Sequence, residues 1–352
     1  MEDKNIVNPM GTDGFEFLEF SSADPDYLAQ SFEHLGFELC AVHRSKKVSL
    51  YRQGDINFLL NAEDACQAEQ HANKHGTAAC AMGFRVKDAD VAYVRALKLG
   101  AEPHKSAINS GELKIPAIKG IGGSVIYFVD RYQDETIYDT DFVAVDGADK
   151  RVVGAGLKVI DHLTHNVQRG HMDAWAEYYE KLFNFRQIRF FDIKGQKTGL
   201  ISRAMGSPCG KIKIPLNEAT DDKSQIEEFL DEFHGEGIQH IALSTDDIYE
   251  TVEDLRQRQI GFLKVPATYY ETVDARIPWQ QEDIPRLQKN AIIIDGGKNK
   301  DEGLLLQIFT KNMFGPEFFE IIQRKGNDGF GEGNFQALFE AIERDQIKRG
   351  VL

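Results

Sequence analysis

Two apolar rhythms alternate along this chain, and each recurs. GFEFLEF, from Gly14, reads as a strand, and YLAQSFEHLGFE, from Tyr27, as a helix running into a second strand. AACAMGFRV, from Ala78, and DADVAYVRALKLGAE, from Asp88, repeat the strand and the helix. The second half returns to the same order with LKVIDHLTHNV (from Leu157), WAEYYEKLFNFRQ (from Trp175), GIQHIALST (from Gly237) and DDIYETVEDLRQRQIGF (from Asp246). Two modules of one design follow. In the second, Ile248, Val252 and Leu255 share a helical face, and Gly261 is the expected stop. Strands are expected at QIRFFDI (Gln187), KIKIPL (Lys211), AIIID (Ala291), LLLQIF (Leu304) and FFEIIQ (Phe318). A last helix should carry Phe335, Leu338, Phe339 and Ile342 on one face, with Asn334 as its cap, closing over the second domain. DFVAVDGADKRVVGAG, from Asp141, is the expected linker, with the boundary near Lys150, dividing the chain into 1–150 and 151–352.

Composition narrows the partners. A chain of 352 residues is long for one core, which agrees with two domains. It is 42% hydrophobic and 28% charged, ordinary for a soluble globular protein. A formal charge of −15 with no basic tract argues against nucleic acid or an anionic membrane and points to small molecules. The N-terminus MEDKNIVNPMG lacks a secretory pattern, and no apolar stretch approaches the length of a bilayer span, so a cytoplasmic location is expected. Cys40, Cys66, Cys80 and Cys209 are scattered without CxxC spacing and read as reduced thiols.

One residue breaks its pattern. Glu320 stands inside the apolar strand FFEIIQ, and an ionised carboxylate there must be exposed, neutral or held by a cation. His162 and His240 also stand in apolar strands, where a lone histidine ordinarily reads as core or edge. Together with Glu320 they make the imidazole and carboxylate set of non-haem Fe(II) oxygenases, each ligand from a different strand. His165, three residues from His162, faces the other way on a regular strand, and spacing alone leaves the choice between them open. The matching stretches of the first module contain no histidine, so that module is expected to be structural or a lid. GFGEGN (Gly329) and KGIGGS (Lys119) lack phosphate-cradle spacing and read as loops, and neither GxSxG nor HExxH occurs. Ser202, Asn217, Gln225, Gln239 and Gln307 lie in or beside strands of the second module, where such groups bind substrate or cap loops.

IDHLTHNV, GEGIQHIAL, LLLQIFT and FFEIIQRKGNDGFGEGNFQALFEAIERDQIKRGVL closely resemble the bacterial 4-hydroxyphenylpyruvate dioxygenase family, within the vicinal-oxygen-chelate superfamily. The resemblance implies an α+β fold, two domains of paired βαβββ modules, with a C-terminal open barrel around Fe(II). It implies His162, not His165, as the first ligand, then His240 and Glu320. It implies catalytic roles for Gln225, Gln239, Asn217, Ser202, Gln307 and Phe335, and substrate contacts from Phe309, Phe330, Asn334 and Phe318. The implied reaction converts 4-hydroxyphenylpyruvate and O2 to homogentisate and CO2 by oxidative decarboxylation, ring hydroxylation and side-chain migration, in a homo-oligomer, dimer or tetramer. Two rivals share the superfamily: a hydroxymandelate synthase on the same substrate, from which Phe335 separates this chain, and an extradiol catechol dioxygenase. A binding module without metal is the third reading, and it leaves the paired histidines and the acid without a purpose.

Overall fold

The computed structural model describes residues 7–148, 151–194, 199–338 and 341. Four βαβββ units follow one another. The first is β1 (Phe15–Ser21), α1 (Pro25–His34), β2 (Glu38–His43), β3 (Val48–Gln53) and β4 (Ile56–Asn61). After α2 (Gln67–His75) come β5 (Ala78–Arg85), α3 (Ala89–Lys98), β6 (Pro103–His104), β7 (Ala117–Lys119) and β8 (Val125–Val129), closed by α4 (Ile137–Asp141) and β9 (Phe142–Ala144). The third is β10 (Leu157–Val167), α5 (Met172–Phe183), β11 (Arg186–Lys194), β12 (Gly199–Gly206) and β13 (Lys213–Ala219). After α6 (Gln225–Glu232) the fourth runs β14 (Gly237–Thr245), α7 (Ile248–Gln257), three short helices α8 (Ala267–Tyr270), α9 (Val273–Arg276) and α10 (Ile284–Asn290), then β15 (Ile293–Gly296), β16 (Leu304–Phe309) and β17 (Phe318–Lys325).

The units pair into two curled half-barrels. One sheet has the order β6-β7-β8-β5-β1-β4-β3-β2-β9, the other β11-β12-β13-β10-β14-β17-β16-β15. In each, the first strands of two units run antiparallel at the centre, β1 against β5 and β10 against β14. The α+β fold of paired βαβββ modules expected from the sequence is the one observed. One apolar core joins the helices and the outer faces of both sheets, from Phe20 and Phe58 in one half to Phe183 and Phe319 in the other. No helix among the described residues is long and apolar enough to cross a membrane.

Helix starts repeat between the halves because the same capping chemistry does. Asp88 accepts from Val91 N–H at 2.9 Å to open α3, and Asp247 accepts from Tyr249 and Glu250 N–H at 2.9 and 3.1 Å to open α7. Two boundary expectations need revision. Gly261 does not stop α7, which ends at Gln257; Gln259 takes a positive φ of 71° and Ile260 N–H returns to Leu255 O at 2.9 Å, burying Ile260 before the glycine is reached. Asn334 is not a cap, since the last helix, described over 332–338, begins before it; its buried side chain turns toward β16 instead. Within that helix Leu338 packs on the core, while Phe339 and Ile342 lie outside the described residues, as does Lys150 at the expected boundary.

Two irregularities prepare the site. Ile160 pairs with Leu243 and His162 with Ala242, so Asp161 is an extra residue in β10; Thr164 pairs with His240 and His165 with Ile238, so Gln239 is an extra residue in β14. Each is a β-bulge, which re-aims a side chain that strict alternation would send to the opposite face.

Candidate metal centre

Three central strands of the second sheet each deliver one residue to a common point. His162 comes from β10, His240 from the neighbouring β14, and Glu320 from β17, whose register sets it beside Ala242. One nitrogen or oxygen of each lies within 4.8 Å of the others. The Nε2 atoms of His162 and His240 stand 3.3 and 3.5 Å from the same oxygen, Glu320 Oε2. Glu320 is 2% exposed, so exposure does not explain the acid in its apolar strand. His165 faces the helices, fully buried, and shares a hydrogen bond of 2.8 Å with the Tyr179 hydroxyl of α5.

The bulges explain how the imidazoles are held. His162 Nδ1–H donates to Asp161 Oδ1 at 2.9 Å, and His240 Nδ1–H donates to Gln239 Oε1 at 3.0 Å. With each Nδ1 committed as a donor, each neutral ring turns a bare Nε2 lone pair on the Glu320 carboxylate. Lone pairs facing one another at this range repel unless a cation or a proton lies among them. The donor set therefore fits a metal ion, with one side lined by protein.

Electrostatics agree. Burial alone would raise the Glu320 carboxyl, but the charge and hydrogen bonds of His162, with those of His240, outweigh it and hold the group at about 2. For His162 burial opposes protonation, and Glu320 and Asp161 overcome it and raise its pKa; for His240 burial prevails and lowers it. Glu320 is thus an anion, and of the two rings His162 is the one whose protonation its surroundings favour.

A polar relay fixes the carboxylate from behind. Gln307 Nε2 donates to Glu320 Oε1 at 2.8 Å, Asn334 Nδ2 donates to Gln307 Oε1 at 2.8 Å, and the Tyr269 hydroxyl donates to Asn334 Oδ1 at 2.5 Å. Gly331, at φ +81°, makes this packing possible, because a Cβ there would sit 2.0 Å from Gln307 Oε1. Aromatic rings wall the centre: Phe318 stacks on His240 at 5.0 Å, Phe330 meets His162 edge-on at 5.3 Å, and Phe309 meets His240 at 6.3 Å.

Not every residue expected here is drawn in equally. Ser202 faces Asn217 across β12 and β13, one strand from β10. Gln307, Gln239 and Asn334 spend side-chain groups on the ligands or on one another. Gln225 is exposed at the first turn of α6 and Phe335 is 39% exposed; among the described residues no side-chain hydrogen bond or ring contact ties either to the three ligand candidates. Sequence reasoning missed Asp161, Arg324 and Asn166. Asn166 is fully buried beside Asn217, and among the described residues neither amide atom has a partner. The pair of letters DH before LTH offered a signal for Asp161, but strict alternation assigns it to the wrong face.

Fold and centre together define a metal-dependent enzyme of the vicinal-oxygen-chelate class. Residues 6–143 match the family model "Hydroxyphenylpyruvate dioxygenase, HPPD, N-terminal", and residues 159–274 match "Glyoxalase/Bleomycin resistance protein/Dioxygenase superfamily". The chain is 59% identical over 353 aligned residues to a protein named hemolysin VllY of Vibrio vulnificus, spanning 99% of each. It is 57% identical to 4-hydroxyphenylpyruvate dioxygenase of Legionella pneumophila strain Corby, spanning 98% of each. Among solved structures it resembles a triple mutant of 4-hydroxymandelate synthase from Streptomyces coelicolor, at 25% identity and a TM-score of 0.81, covering 97% of this chain and all of that one. The chain belongs to the 4-hydroxyphenylpyruvate dioxygenase family.

Proposed function

We propose that this protein is an Fe(II)-dependent dioxygenase that converts 4-hydroxyphenylpyruvate and O2 to homogentisate and CO2. The observation that carries the reading is the convergence of two histidine Nε2 atoms and one carboxylate oxygen on a single point, in a chain that matches relatives of this name over 98% of their length. Fe(II), when bound, supplies a Lewis-acid seat for the 2-oxo acid and activation of O2.

The chain's own residues supply the rest. His162, His240 and Glu320 would hold the ion, which as a three-residue protein set would leave it able to take substrate and O2. Gln307 occupies Glu320 Oε1, which leaves Oε2, the oxygen facing both imidazoles, as the atom that would bind the ion. Phe309, Phe318 and Phe330 form an apolar wall that holds a flat ring, keeps water out and offers no oxidisable hydroxyl. Ser202 and Asn217, with the amide of Asn166 beside them, present polar groups to the substrate's oxygens. Gln239 and Asn334 act through His240 and Gln307, and Gln225 and Phe335 complete the pocket from α6 and the last helix. The free thiols Cys66, Cys80 and Cys209 support a reducing, cytoplasmic setting. The reading includes a homo-oligomer, checked by sedimentation.

Anaerobic loading with Fe(II), followed by oxygen uptake and product identification with 4-hydroxyphenylpyruvate, tests the proposal. Homogentisate is expected. 4-Hydroxymandelate as the main product would assign the chain to the synthase reaction instead, and uptake only with a catechol would assign it to ring cleavage.

A further inference from the structure

Two charged, largely enclosed side chains beside the centre are tied to each other. Asp161 receives Arg324 through both oxygens, from Nε at 2.7 Å and from one terminal nitrogen at 2.8 Å. The other terminal nitrogen of Arg324 donates to Asn327 O at 2.9 Å and to Gly329 O at 2.7 Å, and the guanidinium lies 5.7 Å from the centre of the Phe330 ring. Phe330 in turn meets His162. Arg324 also sits four residues beyond Glu320 on β17. One side chain therefore joins the strand of one ligand, the acid that holds another, and the glycine-rich loop that covers both. A carboxylate on a bulge with no such clamp could rotate away from the imidazole, whereas a bidentate guanidinium leaves it one orientation.

We propose that Asp161 and Arg324 act as a single positioning pair for the metal. Asp161 keeps His162 in the tautomer whose Nε2 is the free donor atom, and Arg324 locks Asp161 while seating the loop over the ring. This inference rests on the metal reading above. A purely structural alternative has a basis in the molecule itself: Glu16 forms the equivalent bulge in β1 and binds Arg85 at 2.6 Å, with no histidine beside it. Affinity and stability must therefore be read separately.

The test uses the full chain, wild type, Asp161→Asn, Arg324→Lys and the double variant. Affinity for Co(II), chosen as a spectroscopic probe, is measured by competition with a chelator, and the thermal midpoint is taken on each metal-free protein. Asn keeps size and an acceptor oxygen but loses the charge; Lys keeps charge but cannot make the paired bonds. Each single change should weaken Co(II) binding by about 10–100-fold, and the double variant should bind no worse than the weaker single, as groups acting in series do. Unchanged affinity with a lowered metal-free midpoint would overturn the proposal in favour of scaffolding. Additive losses would overturn the claim of a single unit. Should Asp161→Asn fail to fold, Arg324→Lys decides alone. A wild type with no measurable Co(II) affinity would instead sink the metal reading beneath the proposal.

Discussion

Where β10 presents His162, β1 presents Phe17; where β14 presents His240, β5 presents Ala81; where β17 presents Glu320, β8 presents Tyr127. The ladders make these equivalences, since Phe17 pairs with Gly83 as His162 pairs with Ala242, Ala81 with Val125 as His240 with Phe318, and Gly83 with Tyr127 as Ala242 with Glu320. The bulges recur as well, at Glu16 and Cys80 in the first half and at Asp161 and Gln239 in the second. Yet the Phe17 and Tyr127 rings fill with a contact at 5.6 Å the place where the other half gathers lone pairs. The backbone thus builds the same cup twice, and three side chains decide whether it holds an ion or an aromatic plug.

Buried acids sharpen the contrast. Glu19 in β1 is also buried, but its side-chain partners are neutral: Asn61 Nδ2 donates to it at 2.6 Å and the Cys80 thiol lies 4.0 Å away, and the charge of Lys46 offsets its burial only in part. Burial dominates and raises its pKa, whereas Glu320, among imidazoles, is held low. The same residue type in the same kind of strand is pushed toward its neutral form in one half and kept as an anion in the other.

The comparison is broken most severely at the three ligand positions. His162→Ala, His240→Ala and Glu320→Ala should each abolish metal retention and turnover while the fold persists, measured by metal analysis beside circular dichroism, because an open three-ligand site has no spare donor. A fully active His162→Ala with an inactive His165→Ala would reverse the assignment. Changes to the plug should act on stability alone. Phe17→Ala leaves a cavity costing about 3–5 kcal/mol in denaturant unfolding, with metal content unaltered; loss of metal there would mean that the halves are not chemically separate. Phe335→Ile tests steering at the exposed rim. Since a misplacement of about 1 Å can cost on the order of a hundredfold, this variant should retain iron and consume O2 but divert product toward benzylic hydroxylation or uncoupled decarboxylation. An unchanged product profile with a lower melting temperature would leave Phe335 as packing. The smallest effect belongs to Glu19→Gln. A raised pKa means that, above the ordinary value of 4.5, the folded protein holds a proton the unfolded chain has released, so stability falls as pH rises toward the folded pKa. The glutamine variant should lack that fall, so its stability relative to wild type should rise between pH 4 and pH 8. Parallel stability curves would show that Glu19 is ionised in the fold.

Much of this was legible before the structure because it follows from periodicity. The helical stripe of Ile248, Val252 and Leu255 is buried as expected, and β10, β14, β16 and β17 fall on the runs that suggested them. The convergence of His162, His240 and Glu320 was also foreshadowed, since a carboxylate in FFEIIQ demands a partner. What periodicity hides is its own violation. Asp161 and Gln239 reach their histidines only through bulges, which leave no mark in a pattern of period two. Glu16 and Glu19 pose the same question as Glu320, but GFEFLEF is buried on both faces, and such a strand gives no alternation to break. The expected stop at Gly261 and cap at Asn334 failed for a shared reason: burial of Ile260 and the bond to Gln307 outweighed local propensity.

The aromatic seam between the halves bears on how the molecule could ever be divided. Phe20 and Phe32 meet Phe314 at 5.8 and 6.4 Å, Phe58 meets Phe319 at 6.1 Å, and Phe84 meets Phe183 at 5.4 Å. Phe319 adjoins Glu320, so rings from the half without ligands back the very strand that carries the acid. Two fragments cut at the linker would each show these rings to water, and they would find each other or clump before either worked alone.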